Sequence, residues 1–186
     1  MPNKNKIVEL LDELSPEAQL IGAVNTVLND NGKLIGYNTD GYGFMQSVRD
    51  AGHDITGKNI TVMGVGGASM AICAQSSLDG AASVHIFARR TSRYWNRTQK
   101  FAENLSAKTG CQVCLFDNDD HTALRDSIAQ SYLLINATSV GMVPDIDDTI
   151  IKDTSLFHPE LVVADVVYEP QETRLLREAK AAGCQT

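Results

Sequence analysis

The strongest constraint in this sequence is a regular alternation of short apolar segments and longer amphipathic segments, which starts near residue 58. The apolar segments predict strands at 60–63, 84–87, 112–116, 132–135 and 161–166. The amphipathic segments predict helices at 68–78, 93–108, 121–129 and 172–182. Strands connected through helices form parallel sheets with right-handed crossovers and helices on both faces. The sequence therefore predicts a doubly wound parallel α/β sheet.

The first 57 residues follow a different pattern. Apolar residues at helical spacing predict a first helix, and they are Ile7, Leu10, Leu11 and Leu14. Ser15 followed by Pro16 predicts the start of a second helix. Asn31-Gly32 between two apolar segments predicts a β-hairpin, and Asn38 predicts the cap of a further helix. We expect a domain boundary near residue 57, with an incomplete α/β piece over 1–57.

A glycine-rich segment joins the first strand of the alternating region to its first helix. It contains Gly64, Val65, Gly66, Gly67, Ala68 and Ser69. Gly64 allows a tight turn, Gly66 lets the backbone approach a pyrophosphate, and Ser69 is a small residue where a third glycine is usual. The free amides and the dipole of the helix N-terminus attract that anion. We predict a Rossmann-like dinucleotide-binding domain over 58–186, with these six residues at the cofactor; the alternative is a turn that is merely tight.

The end of the second strand favours NADP over NAD. An NAD site needs an acidic residue there to hold the ribose 2′-hydroxyl, and the segment 80–99 contains none. The residues predicted to contact the cofactor here are Ala88, Arg89, Arg90, Thr91 and Arg93. Arginine forks pair well with phosphate oxygens, so the segment suits a 2′-phosphate, although NAD stays open. The alternative is a solvated basic start of a helix.

Charge and cysteine usage exclude several other classes of protein. With 16 Lys plus Arg against 23 Asp plus Glu, the formal net charge is −7, which disfavours nucleic acid as a partner. Cys111 and Cys114 have metal-like spacing, but a structural zinc site needs a second pair, so we expect no metal. The apolar segments are too short to cross a membrane, and no secretory signal is present. We therefore expect a cytoplasmic protein without membrane contact.

Several motifs occur in an order that resembles the shikimate dehydrogenase family, in particular its shikimate/quinate branch. They are 1–4 (MPNK), 22–26 (GAVNT), 36–41 (GYNTDG), 64–68 (GVGGA), 136–142 (NATSVGM) and 165–170 (DVVYEP). The resemblance covers essentially the whole chain. It implies that 1–57 is part of a substrate-binding, catalytic domain. It also implies reversible hydride transfer between the 3-hydroxyl or 3-keto carbon of shikimate or quinate and a nicotinamide cofactor.

The resemblance also implies roles for individual residues. Lys4 is the implied catalytic lysine, Asp40 is its partner, and both contact a substrate that Asn25 helps to hold. A base within reach of the reacting hydroxyl lowers the barrier when the hydride leaves. The implied nicotinamide contacts lie after the fourth and fifth strands, at Thr138, Ser139, Val166 and Tyr168. From the residue pattern alone, Lys4 would be a terminal surface lysine and Asp40 a helix cap.

Two parts of the family pattern are missing. The family begins with a further βαβ unit that holds the substrate carboxylate, and it ends with a helix that carries a substrate-contacting glutamine. We therefore expect a chain truncated at both ends, with apolar surface exposed at Leu10, Leu14 and Val24 and with association into a homodimer allowed. The alternative to an active enzyme is a non-catalytic nucleotide-binding remnant of the same family. A different dehydrogenase with a similar Lys–Asp pair is a third reading.

Overall fold

The structure is a computed structural model that describes residues 4–186, so Met1, Pro2 and Asn3 of the first motif lie outside the described residues. The strands are β1 (Glu13–Leu14), β2 (Thr26–Asp30), β3 (Lys33–Tyr37), β4 (Asn59–Met63), β5 (Ser83–Ala88), β6 (Gln112–Asp117), β7 (Leu133–Asn136) and β8 (Val162–Asp165). The helices are α1 (Pro16–Ile21), α2 (Thr39–Asp50), α3 (Gly67–Leu78), α4 (Trp95–Thr109), α5 (His121–Gln130) and α6 (Arg174–Ala181). Among these described helices, none combines the length and the apolar character needed to cross a membrane.

Strands β4 to β8 form one parallel sheet in the order β6-β5-β4-β7-β8. The predicted doubly wound Rossmann-like sheet is confirmed. Val62 and Ile135 are fully buried, as a sheet covered on both faces requires. Side chains alternate between two cores: Val62 packs with α3 and α4, whereas the adjacent Met63 packs with α5 and α6. Predicted strands and helices of this region end within two residues of the observed ones.

A smaller three-stranded sheet precedes the large one, in the order β1-β3-β2. The predicted hairpin is confirmed as the antiparallel pair β2–β3, with Asn31 at φ 52° and Gly32 at φ 97° in its turn. Both positive φ values fit the two-residue turns that match strand twist. The predicted start of α1 is also confirmed, because the Ser15 side chain accepts a hydrogen bond from the Ala18 amide.

The predicted helix over residues 7–14 is wrong. Residues Ile7–Leu10 form a short 3₁₀ helix, and Glu13–Leu14 then pair in parallel with β3. Leu11 and Leu14 lie against Gly36 of β3, where an added Cβ would be only 2.5 Å and 2.9 Å from their side chains. Packing against a glycine in the neighbouring strand therefore overrides the helical spacing of these four apolar residues.

Exposure of the apolar residues in this region is uneven. Leu10 is 76% exposed, as expected, and Leu14 is half-buried. Val24 is only 3% exposed, which corrects the expectation of an exposed side chain there. Every residue of the edge strand β2 is exposed, including Val27 and Leu28.

Helix α2 crosses α3 at very short range, and the contact depends on Gly41. A Cβ on Gly41 would lie 2.2 Å from the Ala71 carbonyl oxygen, which is backbone and cannot move aside. Around this crossing, Met45 and Val48 of α2 share one continuous core with the large sheet. Because Asp40 precedes Gly41 and the glycine loop precedes α3, the crossing fixes these two candidate site elements relative to each other.

We predict that Gly41→Ala destabilises the protein by about 1–3 kcal/mol, the usual cost of overpacking. Gly43 is the matched control, since an added Cβ there meets nothing within 4 Å. Gly43→Ala should be neutral or stabilising by about 0.5–1 kcal/mol, because alanine loses less backbone entropy in a helix. Urea unfolding of both variants measures the difference. Equal midpoints would contradict the close crossing.

Candidate functional site

The glycine loop lies at the carboxyl edge of the large sheet, where parallel α/β sheets bind ligands. Gly64 has φ 111°, and a Cβ on it would lie 2.8 Å from the Thr138 side chain and 2.9 Å from the Ala137 carbonyl oxygen. By contrast, a Cβ on Gly66 or Gly67 would meet nothing within 4 Å. The loop is thus packed tightly against residues 137–138 at Gly64, and it is open at Gly66 and Gly67, where α3 begins. This arrangement fits a pyrophosphate.

Ser69 stabilises the turn from inside. It is fully buried, and its hydroxyl donates a 2.6 Å hydrogen bond to the Gly64 carbonyl oxygen. In the sequence pattern Ser69 stands where a third glycine is usual, and we predicted a cofactor contact there. The structure places its hydroxyl on the loop backbone and not in the open space before the helix.

An elongated groove of about 900 Å³ runs along the glycine loop. Predicted cofactor residues line it on both sides: Gly64, Val65, Gly66, Ala88, Arg89, Thr91, Arg93, Thr138 and Ser139. Asn118, at the end of β6, also lines the groove and was missed by the sequence analysis. Its side-chain oxygen is buried without a hydrogen-bond partner. The only sequence signal for Asn118 is its place after the third strand.

The three arginines after β5 differ in placement. Arg89 is exposed and lines the groove, and so does Arg93. The Arg93 guanidinium lies 4.7 Å from the centre of the Tyr94 ring and donates a 2.6 Å hydrogen bond to the Tyr94 hydroxyl. Arg90 is not among the lining residues; its guanidinium stacks 4.6 Å from the Trp95 ring. Arg90 and Arg93 thus both stack on a neighbouring ring, and the feature that separates Arg90 from the other two arginines is that it does not line the groove.

A second cleft, of about 820 Å³, also borders the glycine loop, and the Lys4–Asp40 pair lines it. Lys4 Nζ lies 2.5 Å from Asp40 Oδ2, and Asn25 Nδ2 donates a 2.8 Å hydrogen bond to Asp40 Oδ1. Gly67 and Ala68 line the same cleft. Both carboxylate oxygens of Asp40 are therefore held, and the pair faces the start of α3.

Local structure explains why Asp40 and Asn25 meet. Asn38 caps α2 by accepting a hydrogen bond from the Asp40 amide, which puts Asp40 in the first turn of the helix. Asn25 precedes β2, and its side-chain oxygen accepts a 3.0 Å hydrogen bond from the Thr39 amide. The hairpin thus delivers Asn25 to the N-terminus of α2.

The end of β8 contributes Asp165 to the cleft, and the following residue, Val166, lines it too. Burial raises the pKa of the Asp165 carboxyl above its ordinary value, although its hydrogen bonds act in the opposite direction. Asp165 was missed as a site residue, because in sequence it is the end of a strand. Tyr168, a predicted nicotinamide contact, is 79% exposed and lines neither the groove nor the cleft.

The cysteines line neither the groove nor the cleft. All four are free thiols, and burial raises the pKa of the Cys73 thiol to about 12. Within residues 4–186, no group of three or more His, Cys, Asp or Glu side chains is arranged to hold a metal ion.

Comparison with known proteins accounts for this combination of loop, groove and Lys–Asp pair. The family described as the shikimate dehydrogenase substrate binding domain matches residues 1–27. A shikimate dehydrogenase (NADP(+)) of Listeria innocua is 50% identical over 186 residues, which is 100% of this chain and 64% of that protein. Over its whole length the chain is similar to members of the shikimate dehydrogenase family. It spans about 64% of the length of the curated relatives it matches.

Two further relatives show the range within the family. A quinate/shikimate dehydrogenase of Escherichia coli is 42% identical over the same 186 residues and 64% of its own length. A crystal structure of a Listeria monocytogenes shikimate 5-dehydrogenase, in complex with shikimate and NAD, superposes with a TM-score of 0.97. That enzyme is 49% identical, and the match covers all of this chain and 64% of the other. The predicted resemblance to this family and the Rossmann-like fold are confirmed.

Proposed function

We propose that the protein of which this chain is part is an NADP-preferring shikimate or quinate dehydrogenase. It would transfer a hydride reversibly between the 3-hydroxyl or 3-keto carbon of its substrate and the cofactor. One observation carries the proposal: the Lys4–Asp40 pair, 2.5 Å apart, opens onto the cleft that Gly67 and Ala68 of the glycine loop also line. A proton-transfer group and a dinucleotide loop thus share one cleft. The names of the relatives support the same activity.

The bound cofactor would supply the hydride acceptor, and the residues of this chain would handle the proton. Lys4 and Asp40 keep 26% and 40% of their side chains exposed, so a substrate hydroxyl can reach both. When Asp40 Oδ2 takes a proton from Lys4 Nζ, the amine can accept the proton of the reacting hydroxyl. Asn25 uses one amide N–H on Asp40, which leaves the other for a second substrate hydroxyl.

The proposed preference for NADP rests on Arg89 and Arg93. Both line the groove beside the end of β5, which faces the adenine ribose in this fold. A carboxylate does lie nearby, since Asp117 Oδ1 accepts a 3.3 Å hydrogen bond from the Arg90 amide. That carboxylate belongs to β6 and does not line the groove, whereas Arg89 and Arg93 do, which supports a 2′-phosphate there.

Three further proposals concern the domain division, the cellular location and the oligomeric state. The division into a partial substrate-binding domain over 1–57 and a dinucleotide-binding domain over 58–186 follows the two sheets. The four free cysteines support a cytoplasmic location, where thiols stay reduced. Exposed apolar side chains on the small sheet and on the segment before it, at Leu10, Val27 and Leu28, support a homodimer, because a partner would remove them from water. Sedimentation velocity tests this last proposal, and a monomer at every concentration would refute it.

The first test is turnover of shikimate and quinate by the 186-residue chain with NADP. If the chain turns over, Lys4→Ala should lower the rate by about 10²- to 10⁴-fold while NADPH affinity stays within about twofold. Lys6→Ala is the matched control, because Lys6 is an exposed neighbour that lines neither the groove nor the cleft. NADPH binding without turnover would instead support the nucleotide-binding remnant.

The second test concerns cofactor choice. Arg89→Ala should reduce the preference for NADPH over NADH by about tenfold or more, since a charge-assisted hydrogen bond contributes about 1.5–3 kcal/mol. Arg90→Ala should change it by less than about threefold, because Arg90 does not line the groove. Isothermal titration of both reduced cofactors measures the ratio. Tighter binding of NADH by the unmodified chain would overturn the NADP assignment.

A further inference from the structure

Two side chains connect the loops that border the site. Asn136 ends β7 and Asp165 ends β8, and the two residues are register partners in the sheet. Their side chains meet, since Asn136 Nδ2 donates a 3.0 Å hydrogen bond to Asp165 Oδ1. The strand ends are therefore joined by a side-chain bond as well as by the backbone ladder.

Asn136 also shapes the loop that follows it. Its side-chain oxygen accepts hydrogen bonds from the amide of Thr138, at 3.1 Å, and from the Thr138 hydroxyl, at 2.7 Å. Its amide nitrogen donates a second bond, of 3.1 Å, to the Val140 carbonyl oxygen. Asn136 is 1% exposed, so these bonds form away from water. One buried amide thus holds the turn that carries Thr138 and Ser139.

Asp165 has the same relation to its own loop. Oδ1 accepts a 2.9 Å hydrogen bond from the Val167 amide, and Oδ2 accepts a 2.7 Å bond from the hydroxyl of Thr173, the N-cap of α6. Three donors therefore converge on one carboxylate. Only a carboxylate offers acceptors alone on both oxygens; an amide would turn its NH₂ toward a donor.

The Asp165 carboxylate is half-buried, and none of the ion pairs among residues 4–186 includes it. Three hydrogen bonds, and not a cation, therefore offset its lost hydration. A carboxylate that is held by three donors and lines the cleft is a candidate for a functional constraint.

We propose that Asp165 and Asn136 are positioning residues that set the spacing of the loops at 137–140 and 166–170 around the nicotinamide half of the cofactor. The inference rests on the proposed function. The groove is lined by Arg89 and Arg93 and by residues 137–140, the cleft is lined by Lys4, Asp40, Asp165 and Val166, and the glycine loop contributes residues to both. A cofactor with its 2′-phosphate at Arg89 therefore has its nicotinamide end at the cleft, beside Asp165 and Val166.

The test compares two ligands of the 186-residue chain: NADPH and adenosine 2′,5′-bisphosphate, which is the adenine half alone. In Asp165→Asn, affinity for NADPH should fall by about tenfold, and affinity for the bisphosphate should stay within about twofold. The melting temperature should fall modestly, because the amide turns its NH₂ toward one of the three donors; the measurement that tests the positioning role is therefore the selectivity between the two ligands. Asp126→Asn, on the exposed surface of α5, is the matched control and should change neither affinity.

A second pair of variants tests the same role if Asp165→Asn fails to fold. Thr173→Val removes the bond to Oδ2 and should weaken NADPH selectively, whereas Thr173→Ser retains the hydroxyl and should restore binding. Equal weakening of both ligands, or no weakening, would overturn the positioning role. An unmodified chain that binds neither ligand would refute the proposed function itself, and the inference with it.

Discussion

The close crossing of α2 over α3 is the contact on which the rest of the site depends. It brings a backbone carbonyl of one helix against a glycine of the other, at a distance that no side chain permits. Because Asp40 lies in the first turn of α2 and the glycine loop leads into α3, the proposed acid–base pair and the proposed pyrophosphate site share one support. Burial of Met45 and Val48 in the same core stabilises the crossing.

Asp40 shows how the small sheet serves this support. An aspartate at a helix N-terminus usually caps the helix or interacts with its dipole. Here Asn38 caps the helix instead, and the Asp40 carboxylate is free to bind Lys4 and Asn25. The β2–β3 hairpin has few buried residues of its own, and delivering Asn25 to this point is its evident contribution to the site.

The sequence predicted most of the large sheet, because strands buried on both faces are continuous apolar segments that differ visibly from their helices. The prediction failed at residues 7–14, where four apolar residues also fit the spacing of a helix. There the outcome depends on Gly36, which lies in the neighbouring strand β3 and is distant in sequence. The sequence also could not separate Arg89 from Arg90. Of the two, only Arg89 lines the groove, which is a tertiary fact. Asp165 was missed for a similar reason, since three converging donors leave no pattern in the chain.

One continuous core spans residue 57, so the sequences of the two halves cannot change independently of each other. Ile55 lies in the segment that joins the two sheets, yet it is 2% exposed and packs in the same cluster as Ile21 and Ile60. The joint is therefore anchored and is not a free linker. Recombination that exchanged one half for that of a distant relative would have to repack Ile55 and the α2–α3 contact together. The two halves should accordingly unfold as one cooperative unit and evolve as a matched pair.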